Sequence, residues 1–125
     1  MLEGFEIYNM TTGSASISVS ENGIGFSKST VARLEKSPFA RVFIDRKTNR
    51  IAVQASLNNE NGAVPFFNNQ KSGAVRWNNK ELLKTLAQMM SCDFTKKVYK
   101  IDGDYLPDEK AMVFDLNKAV LQSSE

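Results

Sequence analysis

Gly23-Ile24-Gly25-Phe26-Ser27 leads into a short helical pattern holding Val31 and Leu34, and two alternating runs follow, Ala40–Asp45 and Arg50–Ala55. The same order returns later in the chain. Gly73-Ala74-Val75-Arg76-Trp77-Asn78 leads into Lys80–Ser91, where Leu82, Leu83, Leu86, Met89 and Met90 recur at helical spacing, and two extended runs follow, Lys96–Asp102 and Ala111–Leu116. Apolar residues three and four apart share a helix face, whereas alternating ones share a strand face. Each half therefore reads strand, helix, strand, strand. Phe26 and Trp77 stand at equivalent places, Val42-Phe43 matches Val98-Tyr99, and Ile51-Ala52-Val53 matches Ala111-Met112-Val113. The expected fold is α+β: a strand-rich single domain, 1–125, of two pseudo-repeated strand–helix–hairpin halves, about 15–56 and 73–116, joined by a loop over 57–72. Such halves commonly pack about a pseudo-twofold axis, as the subunits of a symmetric dimer do.

Local chemistry supports the elements. Ser27 or Ser29 can cap the first helix, and Asn78 with Glu81 three residues on resembles a capping box. Arg46-Lys47-Thr48-Asn49 and Leu106-Pro107-Asp108-Glu109-Lys110 are the turns of the two hairpins. Phe66 and Phe67 anchor the joining loop. Glu6–Met10 and Ala15–Val19 read as a hairpin joined by Thr11-Thr12-Gly13-Ser14, and Ser14–Ser20 alternates serine with apolar residues. The tail 117–125 reads as a frayed helical turn. The expected core holds Phe26, Val42, Ile51, Trp77, Leu82, Leu86, Val98 and Val113.

The chain has 125 residues, 42% of them hydrophobic and 24% charged, which are ordinary globular values. No apolar run approaches the ~20 residues of a membrane span. Met1–Glu6 is acidic and mixed, unlike a secretory signal, so a cytoplasmic location is expected. Histidine is absent and Cys92 is the single cysteine. Those counts exclude histidine acid–base work, Ser-His-Asp triads and cysteine or histidine zinc sites. No GxxxxGK[ST] or GxGxxG stretch is present, and Gly23-Ile24-Gly25 marks a bend in a strand. Asp102, Asp104, Asp108 and Glu109 form an acidic cluster, but glycine and proline fall at the wrong places for a calcium loop. It reads as a solvated hairpin tip. Cys92 reads as a buried structural thiol, since no histidine can activate it. No metal, cofactor or catalytic residue is expected.

Charge is uneven along the chain. The net +2 divides into +1 over 1–62 (7 basic, 6 acidic), +5 over 63–100 (7 and 2) and −4 over 101–125 (2 and 6). Lys28, Arg33 and Lys36 fall on the outer face of the first helix. Arg41, Arg46 and Lys47 lie on the hairpin after it, and Arg76, Lys80 and Lys84 lie at the second helix. Such groups can neutralise phosphates.

The residues from Ile17-Ser18-Val19 through Gly23–Lys28, Val31-Ala32-Arg33-Leu34, Val42-Phe43-Ile44-Asp45 and Arg50-Ile51-Ala52-Val53 carry a resemblance. The chain resembles small proteins of bacterial phages and mobile elements. Residues 15–55 are similar, more distantly, to the AbrB-like swapped-hairpin regulators, without the family's proline before the helix or its Gly-Asp before the third strand. The resemblance implies DNA binding through Lys28, Arg33, Arg41 and Arg46. The expected function is that of a non-enzymatic nucleic-acid-binding accessory or regulatory protein. The alternative is an inhibitor of a host nuclease or defence complex, presenting Asp102, Asp104, Asp108 and Glu109 as a nucleic-acid mimic. No membrane partner is expected, and a homodimer is left open.

Overall fold

The computed structural model describes Gly4, residues 15–59 and residues 61–124. Glu6–Met10 and its turn lie outside the described residues. In chain order the elements are β1 (Ser16–Ser20), β2 (Gly23–Phe26), α1 (Lys28–Arg33), β3 (Phe39–Asp45), β4 (Arg50–Ser56), β5 (Val64–Pro65), β6 (Val75–Trp77), α2 (Lys80–Met90), β7 (Lys97–Leu106), β8 (Ala111–Asp115), a 3-10 turn (Leu116–Lys118) and β9 (Val120–Ser124).

All described pairings are antiparallel, and the strands form one curled sheet in the order β5-β3-β4-β8-β7-β1-β2-β6. β7 holds it together. Its first half pairs with β1, and its last residues, Gly103–Leu106, pair with β8. Beyond β8 the chain makes the 3-10 turn and returns along β7 as β9, Lys97 opposite Ser124. The tail is thus a strand rather than a helical turn, because β7 is longer than β8 and leaves backbone groups that need partners. The joining loop also contains a strand, β5, paired to the start of β3.

The end strands β5 and β6 are linked by side chains. The Trp77 indole N–H donates to the Pro65 carbonyl at 3.1 Å. Trp77, Phe26 and Phe66 pack edge to face, with ring centroids 4.8 to 5.8 Å apart. This geometry suits the opposite charges of ring face and ring edge.

Alternation decides the inner face. Ile17 and Val19 on β1, Ile51 and Val53 on β4, and Met112 and Phe114 on β8 are all buried. Of the expected core, Phe26, Ile51 and Leu86 are buried, and Val42, Trp77 and Leu82 are half-buried against it. Val98 and Val113 instead share the outer face, since each stands directly across from an outward residue, Ser20 and Ala52 respectively. The helices close the barrel-like interior with Val31, Leu83 and Leu86.

Ser27 caps α1, its Oγ accepting from the Thr30 N–H at 3.2 Å. The Thr30 hydroxyl in turn donates to the Ser16 carbonyl at 2.9 Å, tying helix to sheet. On α2 the cap is Asn79 rather than Asn78: its Oδ1 accepts from the Leu82 N–H at 3.0 Å, and α2 begins one residue later than a box on Asn78 requires. No helix among the described residues is long and apolar enough to cross a membrane.

Candidate functional site

The outer face of β1, β2 and β6 carries a polar groove. Strand register sets Lys100, Ser18, Gly25 and Arg76 in one row, Lys100 opposite Ser18, Ser18 opposite Gly25, and Gly25 opposite Arg76. Directly opposed residues present their side chains on the same face. A cation therefore stands at each end of the row, with a hydroxyl and a bare glycine between. Three strand spacings put the two cations about 14 Å apart at Cα. The groove has a volume of ≈ 530 Å³, and Ser27, Gln70 and Ser72 add polar groups to its wall. A Cβ at Gly25 would meet Arg76 Nη2 at 3.7 Å and Ser18 Cβ at 3.9 Å, so the guanidinium lies close over the glycine floor. Lys28 joins the rim. Its Cγ lies 3.5 Å from where a Cβ on Gly73 would stand, next to Ser72 and Ala74 of the groove lining.

The other basic residues fall elsewhere. Lys80 and Lys84 line a second groove, of ≈ 410 Å³, beside α2, together with Glu21 and Asp93, so their charge is partly offset there. Arg46 and Lys47 are exposed on the β3–β4 turn. Asp45 holds that turn, accepting from the Lys47 and Thr48 N–H groups at 3.0 and 3.1 Å and lying 3.7 Å from Arg50. The Thr48 hydroxyl and amide hold the Asp45 carboxyl below its ordinary value. Arg33 is half-buried at the end of α1, and Lys36 Nζ lies 5.9 Å from the centre of the Phe67 ring. Arg41 is half-buried, and its Nε is enclosed without a hydrogen-bond partner among the described residues.

The acidic set divides as well. Asp102 and Asp104 lie within β7, exposed on its outer face, and only Asp108 and Glu109 occupy the turn. β7 runs four residues beyond the expected Asp102, because Gly103–Leu106 find partners on β8. Cys92 is half-buried in the groove beside α2, and burial pushes its thiol above the ordinary value. Among the described residues no three histidine, cysteine or carboxylate side chains are grouped to hold a metal ion.

Sequence reasoning found Lys28 and Arg76 but missed Ser18, Ser27, Gln70, Ser72 and Lys100. The strict serine alternation in β1 was the available signal, since it leaves one polar face pointing away from the core. The partners across that face depend on register, which no local pattern states. No family model, curated protein or solved structure matches this chain.

Proposed function

We propose that this protein is a non-enzymatic nucleic-acid-binding accessory or regulatory protein of a phage or mobile element, engaging the sugar-phosphate backbone in the groove on β1, β2 and β6. The observation that carries this reading is the Lys100–Ser18–Gly25–Arg76 row with Lys28 on its rim. A guanidinium and two ammonium groups supply charge to phosphates, and a planar guanidinium can donate two parallel hydrogen bonds to one of them. The Ser18 and Ser72 hydroxyls and the Gln70 amide add neutral donors of the kind that position a backbone without reading bases. The floor at Gly25 has no side chain to hold a strand away.

The same reading takes the chain as two related halves, β1-β2-α1-β3-β4 and β5-β6-α2-β7-β8, interleaved in one sheet about a pseudo-twofold axis. Strand pairing supports it. Exchanging each strand with its counterpart turns β3–β4 into β7–β8 and β3–β5 into β7–β1, and leaves β2–β6 and β4–β8 paired with themselves. The remaining pair, β1–β2, becomes β5–β6, which the Trp77–Pro65 hydrogen bond joins. Both hairpin turns have four residues, 46–49 and 107–110. Aligning them makes Ile51 the counterpart of Met112, one residue on from the match read in the sequence, and Val42 the counterpart of Gly103 rather than Val98. A one-residue slip inverts every side chain, and only this register keeps buried residues on buried positions. The axis then passes through two pairs, Gly25·Arg76 in the groove and Ala52·Val113 on the opposite seam.

Titrating DNA and RNA, single- and double-stranded, against salt tests the function. Arg76→Ala, Lys100→Ala and Lys28→Ala should each weaken binding alike for all sequences. Each should also reduce the slope of log affinity against log salt by about 0.7–0.9. Absence of salt-dependent binding by the wild-type protein would end the reading, as would slopes unchanged in all three variants.

A further inference from the structure

β3 has an edge that its own sheet leaves uncovered. β4 runs along one side of it in an unbroken register, from Phe39 opposite Ser56 to Asp45 opposite Arg50. On the other side β5 reaches only Phe39 and Ala40. The Phe66 N–H donates to the Pro38 carbonyl at 2.8 Å. Peptide groups alternate in direction along a strand, so residues 40, 42 and 44 turn theirs to that same side. Val42 and Ile44 therefore each present an N–H and a C=O that no described strand meets. The stretch Arg41-Val42-Phe43-Ile44-Asp45 has no proline, lysine or bulge to keep another strand away. Phe43 is 51% exposed and Ile44 40%.

The side chains of this stretch indicate what pairs with it. Arg41, Phe43 and Asp45 share the outer face, whereas Val42 and Ile44 stand beside the buried Val53 and Ile51 on the inner one. Arg41 is half-buried with its Nε enclosed, and among the described residues its side chain makes no hydrogen bond and no ion pair. The Asp45 side chain is 45% exposed, one carboxylate oxygen held in the turn and the other 3.7 Å from Arg50. An unpartnered cation and an open carboxylate thus flank Phe43 at equal distances along the strand.

We infer that β3 pairs edge to edge with β3 of a second copy of the chain, antiparallel about a two-fold axis at Phe43. Val42 then stands opposite the other copy's Ile44, and each such pair exchanges both N–H···O=C bonds. Every free peptide group of the edge finds a partner in this register. An axis at Val42 would set Ile44 against Ala40, which β5 already holds, and one at Ile44 would set Val42 against Arg46 in the turn. On the outer face, Arg41 lies across from the other copy's Asp45 on both sides of the axis. Phe43 meets Phe43 at a non-hydrogen-bonded pair, where Cα atoms approach to about 4.5 Å. Opposite charges and aromatic pairs are the stabilising cross-strand combinations. On the inner face, Val42 and Ile44 continue the apolar rows of Val53 and Ile51 across the contact. An isologous contact needs a self-complementary surface, and this edge is one. None of these residues lines the groove on β1, β2 and β6, so the inference is independent of the nucleic-acid reading.

The test uses the full chain in sedimentation equilibrium, with circular dichroism to verify folding. Wild-type protein should form a reversible dimer and nothing larger. Ile44→Pro removes an N–H that bonds to no strand of its own chain and should leave a folded monomer, since proline is tolerated on a free strand edge. Arg41→Asp and Asp45→Arg should each raise the dissociation constant by more than about tenfold, as like charges set face to face do. Mixed together, these two variants should associate, because both cross-strand contacts regain opposite signs. Phe43→Cys in a Cys92→Ser background should form an interchain disulfide on mild oxidation, since the axis brings the two positions within disulfide reach. Ala52→Cys in that background, one strand further out in each copy, should not. A wild-type protein that stays monomeric up to its solubility limit would overturn the inference. So would a dimer that Ile44→Pro or the charge variants leave intact, or one that Phe43→Cys does not cross-link.

Discussion

Gly103 shows how much one residue decides. A Cβ at this position would lie 2.5 and 2.7 Å from ring atoms of Phe114 and 2.9 Å from Met112 Cε. Phe114 and Met112 are fully buried and cannot swing aside. Gly103→Ala should therefore overpack the seam and destabilise the fold by about 1–3 kcal/mol, read from urea unfolding; an unchanged midpoint would show that the ring has room to move. Leu86 is the converse case, buried completely on the inner face of α2. Leu86→Ala should cost about 2–5 kcal/mol, the range for emptying a buried leucine site. Cys92 should alkylate more slowly at neutral pH than a free cysteine, since burial raises its thiol and only the thiolate reacts. A faster rate would contradict that shift.

At the scale of elements, the turns are built by short side chains. Asp45 accepts from two amides of the β3–β4 turn, and Asp93 holds Thr95 by its amide and hydroxyl at 2.8 and 2.7 Å. The Thr48 and Thr95 contacts lower both carboxyls in the fold. A group whose folded value lies below its unfolded one stabilises above the unfolded value, and that contribution fades as pH falls through the folded value. Both carboxyls should titrate below 3.8 by carbon-13 NMR, and an Asp45 midpoint at or above 3.8 would show that its turn contacts are not maintained in solution. The helix caps were half legible: Ser27 was one of two candidates, whereas α2 uses Asn79 beside the expected Asn78. Adjacent asparagines are chemically alike, and which of them meets the first-turn amides depends on how the chain leaves β6. Asn79→Ala should cost about 0.5–2 kcal/mol, and Asn78→Ala should be close to neutral in the same melt.

For the whole molecule, the pseudo-twofold reading places two surfaces at opposite poles of the curled sheet. One is centred on Gly25·Arg76, and the other on Ala52·Val113. The link between β5 and β6 should matter more than its single hydrogen bond suggests, because it joins the two ends of the sheet. Trp77→Phe keeps an aromatic ring against Phe26 and Phe66 but removes the donor to Pro65. It should cost about 0.5–1.5 kcal/mol globally, the usual net worth of such a bond. Hydrogen exchange should quicken first at the amides of Phe66 and Phe67, which bond to the Pro38 and Ser37 carbonyls beside the seam. Unchanged exchange there would mean that the aromatic packing alone holds the seam.

Local order in this chain was determined by the sequence alone. Alternation in Ser14–Ser20 and Ala40–Asp45 and the extended run Ala111–Leu116 named strands, the helical spacing of Leu82, Leu83, Leu86, Met89 and Met90 named a helix, and the missing histidines removed whole classes of chemistry. Those signals are short-range, carried by neighbours a few residues apart. Only the tertiary structure decided which strands meet. Lys100, Ser18 and Arg76 share a row because β7, β1, β2 and β6 are neighbours in one particular register. Asp102 and Asp104 left the acidic tip because β8 offered partners to the end of β7. The tail became β9 for the same reason, since backbone groups along a long strand are satisfied by whatever segment the closed fold brings beside them.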